Sequence, residues 1–220
     1  MFSARTKSAL KFDLLRLRAR LLHQTGRRKA PPAPRLHFGC GRRHIQGWTN
    51  VDVVGSPYDI DLCAPLPWPD TVFDAILSQQ VIEHLDLETE LMPLLRELHR
   101  VSRVGAELWL ACPDMGKVCR GYVSDWGAEL LRDRQTRYPV ALPAGIPVQQ
   151  IVNTLFHQGG QHKNLFDYAL LVWLLQAHGF ETVEKVQEAE LLARFPEVSP
   201  RNDDNIAIYV RARKSADFQP

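Results

Sequence analysis

The sequence predicts a doubly wound α/β fold with a mostly parallel sheet, on three observations. Short β-like apolar runs alternate with longer helix-like runs from residue 35 onward. A glycine-bracketed turn, Gly39-Cys40-Gly41, follows the first of those runs, and an aspartate, Asp52, sits at the end of the second. Open sheets of this class bind ligands in the crevice outside the carboxyl ends of their strands, where the strand order reverses. The turn and the aspartate therefore fall where a ligand belongs.

In chain order, the first element is a helix over Ser8–His23, where Leu10, Leu14, Leu17 and Leu21 recur at helical spacing beside Arg16, Arg18 and Arg20. Met1–Arg35 holds ten basic residues against the single acid Asp13 and carries +9; the remainder carries −7, giving the net +2 of the chain. A basic amphipathic helix suits an anionic membrane surface, a partner groove or nucleic-acid phosphates, or packs on its own domain with a solvated basic face. Lys29-Ala30-Pro31-Pro32-Ala33-Pro34 reads as a stiff linker. Residues 1–34 are thus expected to form the helix and linker, 35–214 the folded domain, and 215–220 a tail.

Strands are expected at Arg35–Phe38, Thr49–Val53, Tyr58–Leu62, Phe73–Ser78, Glu107–Cys112, Thr182–Gln187 and Ile206–Arg211, with helices at Glu88–Ser102 and Asn164–His178. The last two strands, separated by Glu188–Asn205 with no clear helical pattern, predict an antiparallel hairpin with a long loop. A helical insertion, about 115–161, follows the fifth strand.

Composition narrows the function. With 220 residues, 45% hydrophobic and 24% charged, the chain can bury one α/β core. Its longest apolar stretch, Tyr168–Leu175, is too short to span a bilayer, and no signal-peptide pattern is present. A cytoplasmic protein is expected, with the basic helix as a route to the inner face of the membrane or to a protein partner. Cys40, Cys63, Cys112 and Cys119 form no C-x-x-C pair, so free buried thiols are expected and no structural zinc.

The glycine turn departs from two phosphate-binding motifs. A dinucleotide fingerprint needs a third glycine where His44 stands, and its acidic residue lies further on than Asp52. Trp48 follows Gly47 where a phosphate loop puts lysine. What remains is a loop passing close to a flat, mostly uncharged ligand, with Asp52 accepting from vicinal hydroxyls. S-adenosylmethionine has those properties.

Five segments then resemble class I S-adenosylmethionine-dependent methyltransferases in order: Leu36-His37-Phe38-Gly39-Cys40-Gly41, Asn50-Val51-Asp52, Asp59-Ile60-Asp61-Leu62, Phe73–Ser78 running into Val81-Ile82-Glu83-His84-Leu85, and the turn Arg100–Ala106. Gly47–Asp52, Leu66–Asp70 and His162–Asp167 further resemble predicted methyltransferases associated with glycosyltransferases and surface-polysaccharide synthesis. Three positions depart: His37 replaces an acidic residue, Arg43 replaces a third glycine, and Ser102–Ala106 replaces an L-K-P-G-G turn.

The resemblance implies a Rossmann-like methyltransferase sheet with S-adenosylmethionine as cofactor. Gly39, Cys40 and Gly41 would approach it, Asp52 and Val53 would meet the ribose, Asp61 and Leu62 the adenine, and Ser78 and Gln79 the methionyl part. An alcohol acceptor must lose a proton, and His162, His157 and His84 are the candidate bases. The insertion, with Trp126, Tyr138 and several arginines, is expected to wall a small-molecule or glycan acceptor; nucleic acid is not expected. Asp59-x-Asp61 also matches the D-x-D of metal-dependent glycosyltransferases, and a non-catalytic binding module remains the third reading. Gln80-x-x-Glu83-His84 resembles the E-x-x-E-H metal site of some small-RNA and quinone-precursor methyltransferases, but Gln80 replaces the first carboxylate, so no metal is expected.

Overall fold

The computed structural model describes residues 4–23, 30–137, 143–216 and 218. Lys29 of the expected linker, Tyr138 of the insertion, and Asp217, Gln219 and Pro220 of the expected tail lie outside the described residues.

A seven-stranded sheet organises the chain: β1 (Arg35–Phe38), β2 (Thr49–Asp52), β3 (Tyr58–Asp59), β4 (Phe73–Gln79), β5 (Ser102–Pro113), β6 (Phe180–Val186) and β7 (Ala207–Lys214). Their order is β3-β2-β1-β4-β5-β7-β6. The first five run parallel, and β7 inserts antiparallel between β5 and β6, forming the expected hairpin. The order reverses between β1 and β4, so the ligand crevice belongs at their carboxyl ends.

Helices cover one face. The helix α2 (Met92–Val101) and the helix α6 (Tyr168–Gln176) pack Leu94, Leu95, Leu98, Leu171, Leu174 and Leu175 onto Leu36, Phe38, Ile76 and Leu108. Both helices are shorter than their apolar patterns. A π turn, Leu87–Leu91, precedes α2 and is capped by Asp86, whose carboxylate accepts from Thr89 N at 2.9 Å. Asp167 caps α6 by accepting from Leu170 N at 2.8 Å, so the helix begins four residues after Asn164 and leaves 162–166 as loop. Phe166 in that loop is fully buried and bridges to Asp114.

The opposite face is thinly covered. Parallel neighbours usually need a helical crossover of a dozen or more residues, yet β1 reaches β2 through 39–48 without a helix. Ile45 and Trp48 fill that space and pack with Leu77, Trp109 and Tyr209. The rest of that face is closed by Leu191 of α7 (Glu188–Arg194) and by Phe195 and Val198 just after it. This helix corrects the expectation of none between Glu188 and Asn205; Glu190 accepts from Gln187 N at 2.9 Å and fixes its start.

The described residues of 115–160 form three α-helices, α3 (Met115–Asp125), α4 (Ala128–Arg137) and α5 (Gln149–His157), around Val118, Leu130 and Ile151. Trp126 is excluded from that core and 79% exposed. At the N-terminus, α1 (Ala4–His23) lies in the opposite sense to that expected of an amphipathic helix. Ala19 is buried and Arg16 and Arg20 turn inward, while Leu10, Leu14, Leu17 and Leu21 are all more than half exposed. The acidic surface of the domain decides this, because Arg16 and Arg20 find Asp61, and Arg16 also finds Glu90 at 3.0 Å. No helix among the described residues is long and apolar enough to cross a membrane.

Candidate functional site

The crevice starts where β1 ends. Gly39 (φ +65°) and Gly41 (φ +52°) are left-handed, which a side chain disfavours. A Cβ on Gly39 would lie 2.2 Å from Val81 Cγ2, so the turn is pressed against the loop that follows β4. A Cβ on Gly41 would meet nothing within 4 Å, so this side of the turn faces open space. Gly41 N donates to Asp52 Oδ2 at 2.8 Å and Val53 N to Asp52 Oδ1 at 2.7 Å. These bonds fix the carboxylate beside the turn and use about two of its roughly four lone-pair positions. Cys40 is buried, with its N–H on Val51 O at 3.1 Å, and burial pushes its thiol up to about 12. It packs the turn and is no nucleophile near neutral pH.

The other expected cofactor residues divide. Asp61 is 4% exposed and accepts from Arg16 Nε at 3.1 Å, Arg20 Nε at 2.5 Å and Cys63 N at 3.0 Å. It anchors α1, which sequence periodicity did not show. Leu62 adjoins it, half-buried. Ser78, at the end of β4, is buried and its hydroxyl has no hydrogen-bond partner. Gln79 is buried and donates to Tyr209 Oη at 3.4 Å; Tyr209 in turn donates to Asp203 at 2.6 Å.

Two of the three departures, His37 and Arg43, are held by contacts within the fold. His37 is buried beside Asn50, Nδ1 to Oδ1 at 3.2 Å, and burial lowers its pKa to about 4, so it is neutral. Arg43 donates to Pro200 O at 2.6 Å and Ser199 O at 3.2 Å, tying down that loop.

Past β4 the chain makes a tight 3-10 turn, Ile82–His84. Glu83 O accepts from Lys163 N at 2.8 Å and Asn164 N at 3.3 Å, which stitches the 162–164 loop to this turn. That contact brings His162 to His84, ring centroids 4.8 Å apart. His84 Nδ1 lies 3.3 Å from Gln161 O, and His162 Nδ1 lies 2.7 Å from Leu155 O. A carbonyl only accepts, so each Nδ1 carries the hydrogen and each Nε2 keeps its lone pair. Burial lowers both imidazole pKa values, which keeps the rings neutral. The Glu83 side chain is buried, Oε2 has no hydrogen-bond partner, and burial pushes the carboxyl up to about 8.

These groups border a cavity of about 280 Å³, closed on its far side by Arg137 of α4 and Thr154 and Leu155 of α5. The insertion therefore walls the space beside His84 and His162. Trp126 does not join the wall, and His157 is exposed outside it. Arg137 belongs to the insertion expected to form the wall, whereas Arg201 lines the cavity without any signal in its local sequence, since only the tertiary fold places it there.

The comparisons with known proteins bear on residues 49–110 and on the fold. Residues 49–110, from the start of β2 into β5, match the family described as a methyltransferase domain, whose cofactor is S-adenosylmethionine. No curated protein matches the sequence. Among solved structures, the chain is similar to a SAM-dependent methyltransferase from Archaeoglobus fulgidus, at 15% identity and TM-score 0.46, covering 92% of this chain and 94% of that one. It is also similar to the YcgJ protein of Bacillus subtilis, at 15% identity and TM-score 0.46, covering 90% and 97%. A third likeness is to phosphoethanolamine N-methyltransferase 2 of Haemonchus contortus, bound to phosphomonomethylethanolamine and S-adenosylhomocysteine, at 12% identity and TM-score 0.46. That alignment covers 88% of this chain but 52% of the Haemonchus enzyme. Likeness at this level says nothing about the substrate.

Proposed function

We propose that this chain, with its methyltransferase domain, transfers a methyl group from S-adenosylmethionine to a hydroxyl of a carbohydrate or glycolipid precursor. The observation that carries the proposal is the junction of two sites at the end of β4. The Gly39–Asp52 crevice touches Val81, and Val81 leads directly into the turn bearing Glu83 and His84 beside the walled cavity.

The residues fit the cofactor in three respects. The open side of Gly41 leaves room for close backbone approach, Asp52 retains acceptor capacity for a ribose diol, and Ser78 offers an orphaned buried hydroxyl for the methionyl end. Asp61 fits less well, since two guanidinium groups already hold it, and the backbone N–H of Leu62 is the better partner for adenine. The same ion pairs argue against a D-x-D metal site, because Arg16 and Arg20 stand where its cation would.

S-adenosylmethionine, when bound, supplies a methyl group on an already activated sulfonium, so the protein mainly has to position the acceptor. The arginines, histidines and threonine of the cavity suit a hydroxyl-rich acceptor. His84 and His162 present neutral imidazole lone pairs as acceptors for the hydroxyl proton. His157 is the weaker candidate because it stands outside the cavity. On α1, the exposed leucines beside Lys11 and Arg18 would hold the enzyme at an anionic membrane surface, where a lipid-linked acceptor would be presented.

Labelled methyl transfer from S-adenosylmethionine to sugar, nucleotide-sugar and glycolipid pools tests the proposal. Transfer to those pools that falls sharply in His162→Ala is expected. Robust transfer to RNA or protein instead would overturn the substrate assignment.

A further inference from the structure

We propose that the acceptor cavity holds an oxyanion, a phosphoryl or carboxylate group carried by the acceptor, on Arg201 together with Arg134 and Arg137. Attachment of that oxyanion to a methyl acceptor rests on the methyltransferase reading. Three guanidinium groups line the cavity, and Asp133 and Glu83 are the acids among its lining residues. Asp133 is already engaged, accepting from Arg137 Nε at 2.9 Å and from Asn205 Nδ2 at 2.8 Å. The Glu83 carboxyl, pushed up to about 8 by burial, is largely uncharged near neutral pH. The wall is therefore cationic, in a chain whose residues beyond Arg35 together carry −7.

Arg201 is the centre of the site, because contacts from three sides fix the loop that carries it. Glu188, 4% exposed, accepts from Arg201 N at 2.5 Å and from Asn202 N at 2.8 Å. Arg43 donates to the carbonyls of Ser199 and Pro200, so the residue standing where the resemblance expects a third glycine clamps the same loop. Asp203, 1% exposed, accepts from Tyr209 Oη at 2.6 Å and Gln80 Nε2 at 3.1 Å, and lies 3.4 Å from Arg201 Nε. Its charge is shared among three donors. The Arg201 guanidinium itself makes no hydrogen bond among the described residues.

A guanidinium whose loop is held rigid, and whose planar fork of donors is left unused, suits two oxygens of one phosphoryl or carboxylate group. An anion there would also relieve the repulsion among the arginines of the wall. Held at that point, the acceptor would lie in the same cavity as His84 and His162, whose Nε2 lone pairs stay available for a hydroxyl proton. The preferred acceptor is then a sugar bearing a phosphoryl or carboxylate group, in preference to a neutral glycan.

Inorganic pyrophosphate is the probe, titrated by calorimetry into the full chain at fixed ionic strength. Binding is expected to weaken at least about tenfold in Arg201→Gln, the scale of one lost charge-assisted hydrogen bond. Arg201→Lys, which keeps the charge without the fork, should recover only part of it. The clamps from Glu188 and Arg43 grip backbone atoms, so both variants are expected to keep the wild-type melting temperature. Arg132→Gln, at an exposed position of α4 outside the cavity, is the control that retains binding. Displacement of pyrophosphate by glucose 1-phosphate would assign a phosphoryl group and displacement by glucuronate a carboxylate, and either supports the site. No pyrophosphate binding by the wild type, or equal binding by Arg201→Gln, would overturn it. S-adenosylmethionine is titrated into the same samples. Pyrophosphate binding without cofactor binding keeps the oxyanion site and removes the methyltransferase reading; cofactor binding without pyrophosphate binding does the reverse.

Discussion

Gly39 and Gly41 show how two residues of one type in one turn do different work. At Gly39 an added methyl group meets Val81 at 2.2 Å and the backbone is left-handed, so Gly39→Ala should lower the melting temperature markedly. At Gly41 the same change meets no atom and costs only the left-handed strain, about 1–2 kcal/mol. Gly41→Ala should therefore remain folded yet bind S-adenosylmethionine several-fold more weakly, since its methyl group enters the space the cofactor needs. Thermal denaturation paired with calorimetry separates the two; equal effects of both variants on stability would refute the distinction. His37 carries a second residue-level prediction. Its folded pKa is about 4 against an ordinary 6.5, so it favours the native state fully above pH 6.5 and loses that contribution as pH falls toward 4. The difference amounts to about 3 kcal/mol at the acid end. His37→Gln, which keeps a donor for Asn50 but does not titrate, should flatten the acid limb of the stability profile; identical urea midpoints across pH 4–7 would contradict this.

Among the elements, α1 departs most from its sequence pattern. Leucine periodicity identified an apolar face, but not which face the domain would accept. Asp61 and Glu90 settle the matter by drawing Arg16 and Arg20 inward. Glu90 also takes Lys163 at 2.6 Å, so one carboxylate links α1 to the loop that carries His162. The exposed leucines are then free to meet lipid. Sedimentation with vesicles containing anionic lipid should pull down the full chain, and Leu14→Ser with Leu17→Ser should abolish most of that binding. Vesicle binding unaffected by both changes would remove α1 as the contact. The sheet was more legible, because each strand is a local apolar run and β1 begins at the expected Arg35. The helix α7 was not, since seven residues capped by Glu190 leave too short a pattern to read.

For the whole molecule, the thin second face and the thick insertion set the surroundings of the strand-end crevice. Without a helix between β1 and β2, the glycine turn is buttressed by Ile45 and Trp48, and the strand-end crevice depends on that small cluster. The strand-end crevice was legible as geometry, because Gly39, Gly41 and Asp52 lie close together in sequence and at adjacent strand ends. His84, His162 and the insertion were legible only as separate segments; their meeting was not, because Glu83 and His84 reach His162 through the fold and Arg201 arrives from the loop before β7. The ion pairs of Asp61 were hidden for the same reason: its partners, Arg16 and Arg20, precede the linker.

The most direct test is calorimetric titration of the full chain with S-adenosylmethionine beside Asp52→Ala, with circular dichroism to show that both are folded. Micromolar binding by the wild type and at least about tenfold weaker binding by the variant, the scale of one lost charge-assisted hydrogen bond, is the expected result. No binding by the folded wild-type chain at millimolar cofactor, or equal binding by both proteins, would contradict the assignment of the β1–β2 crevice.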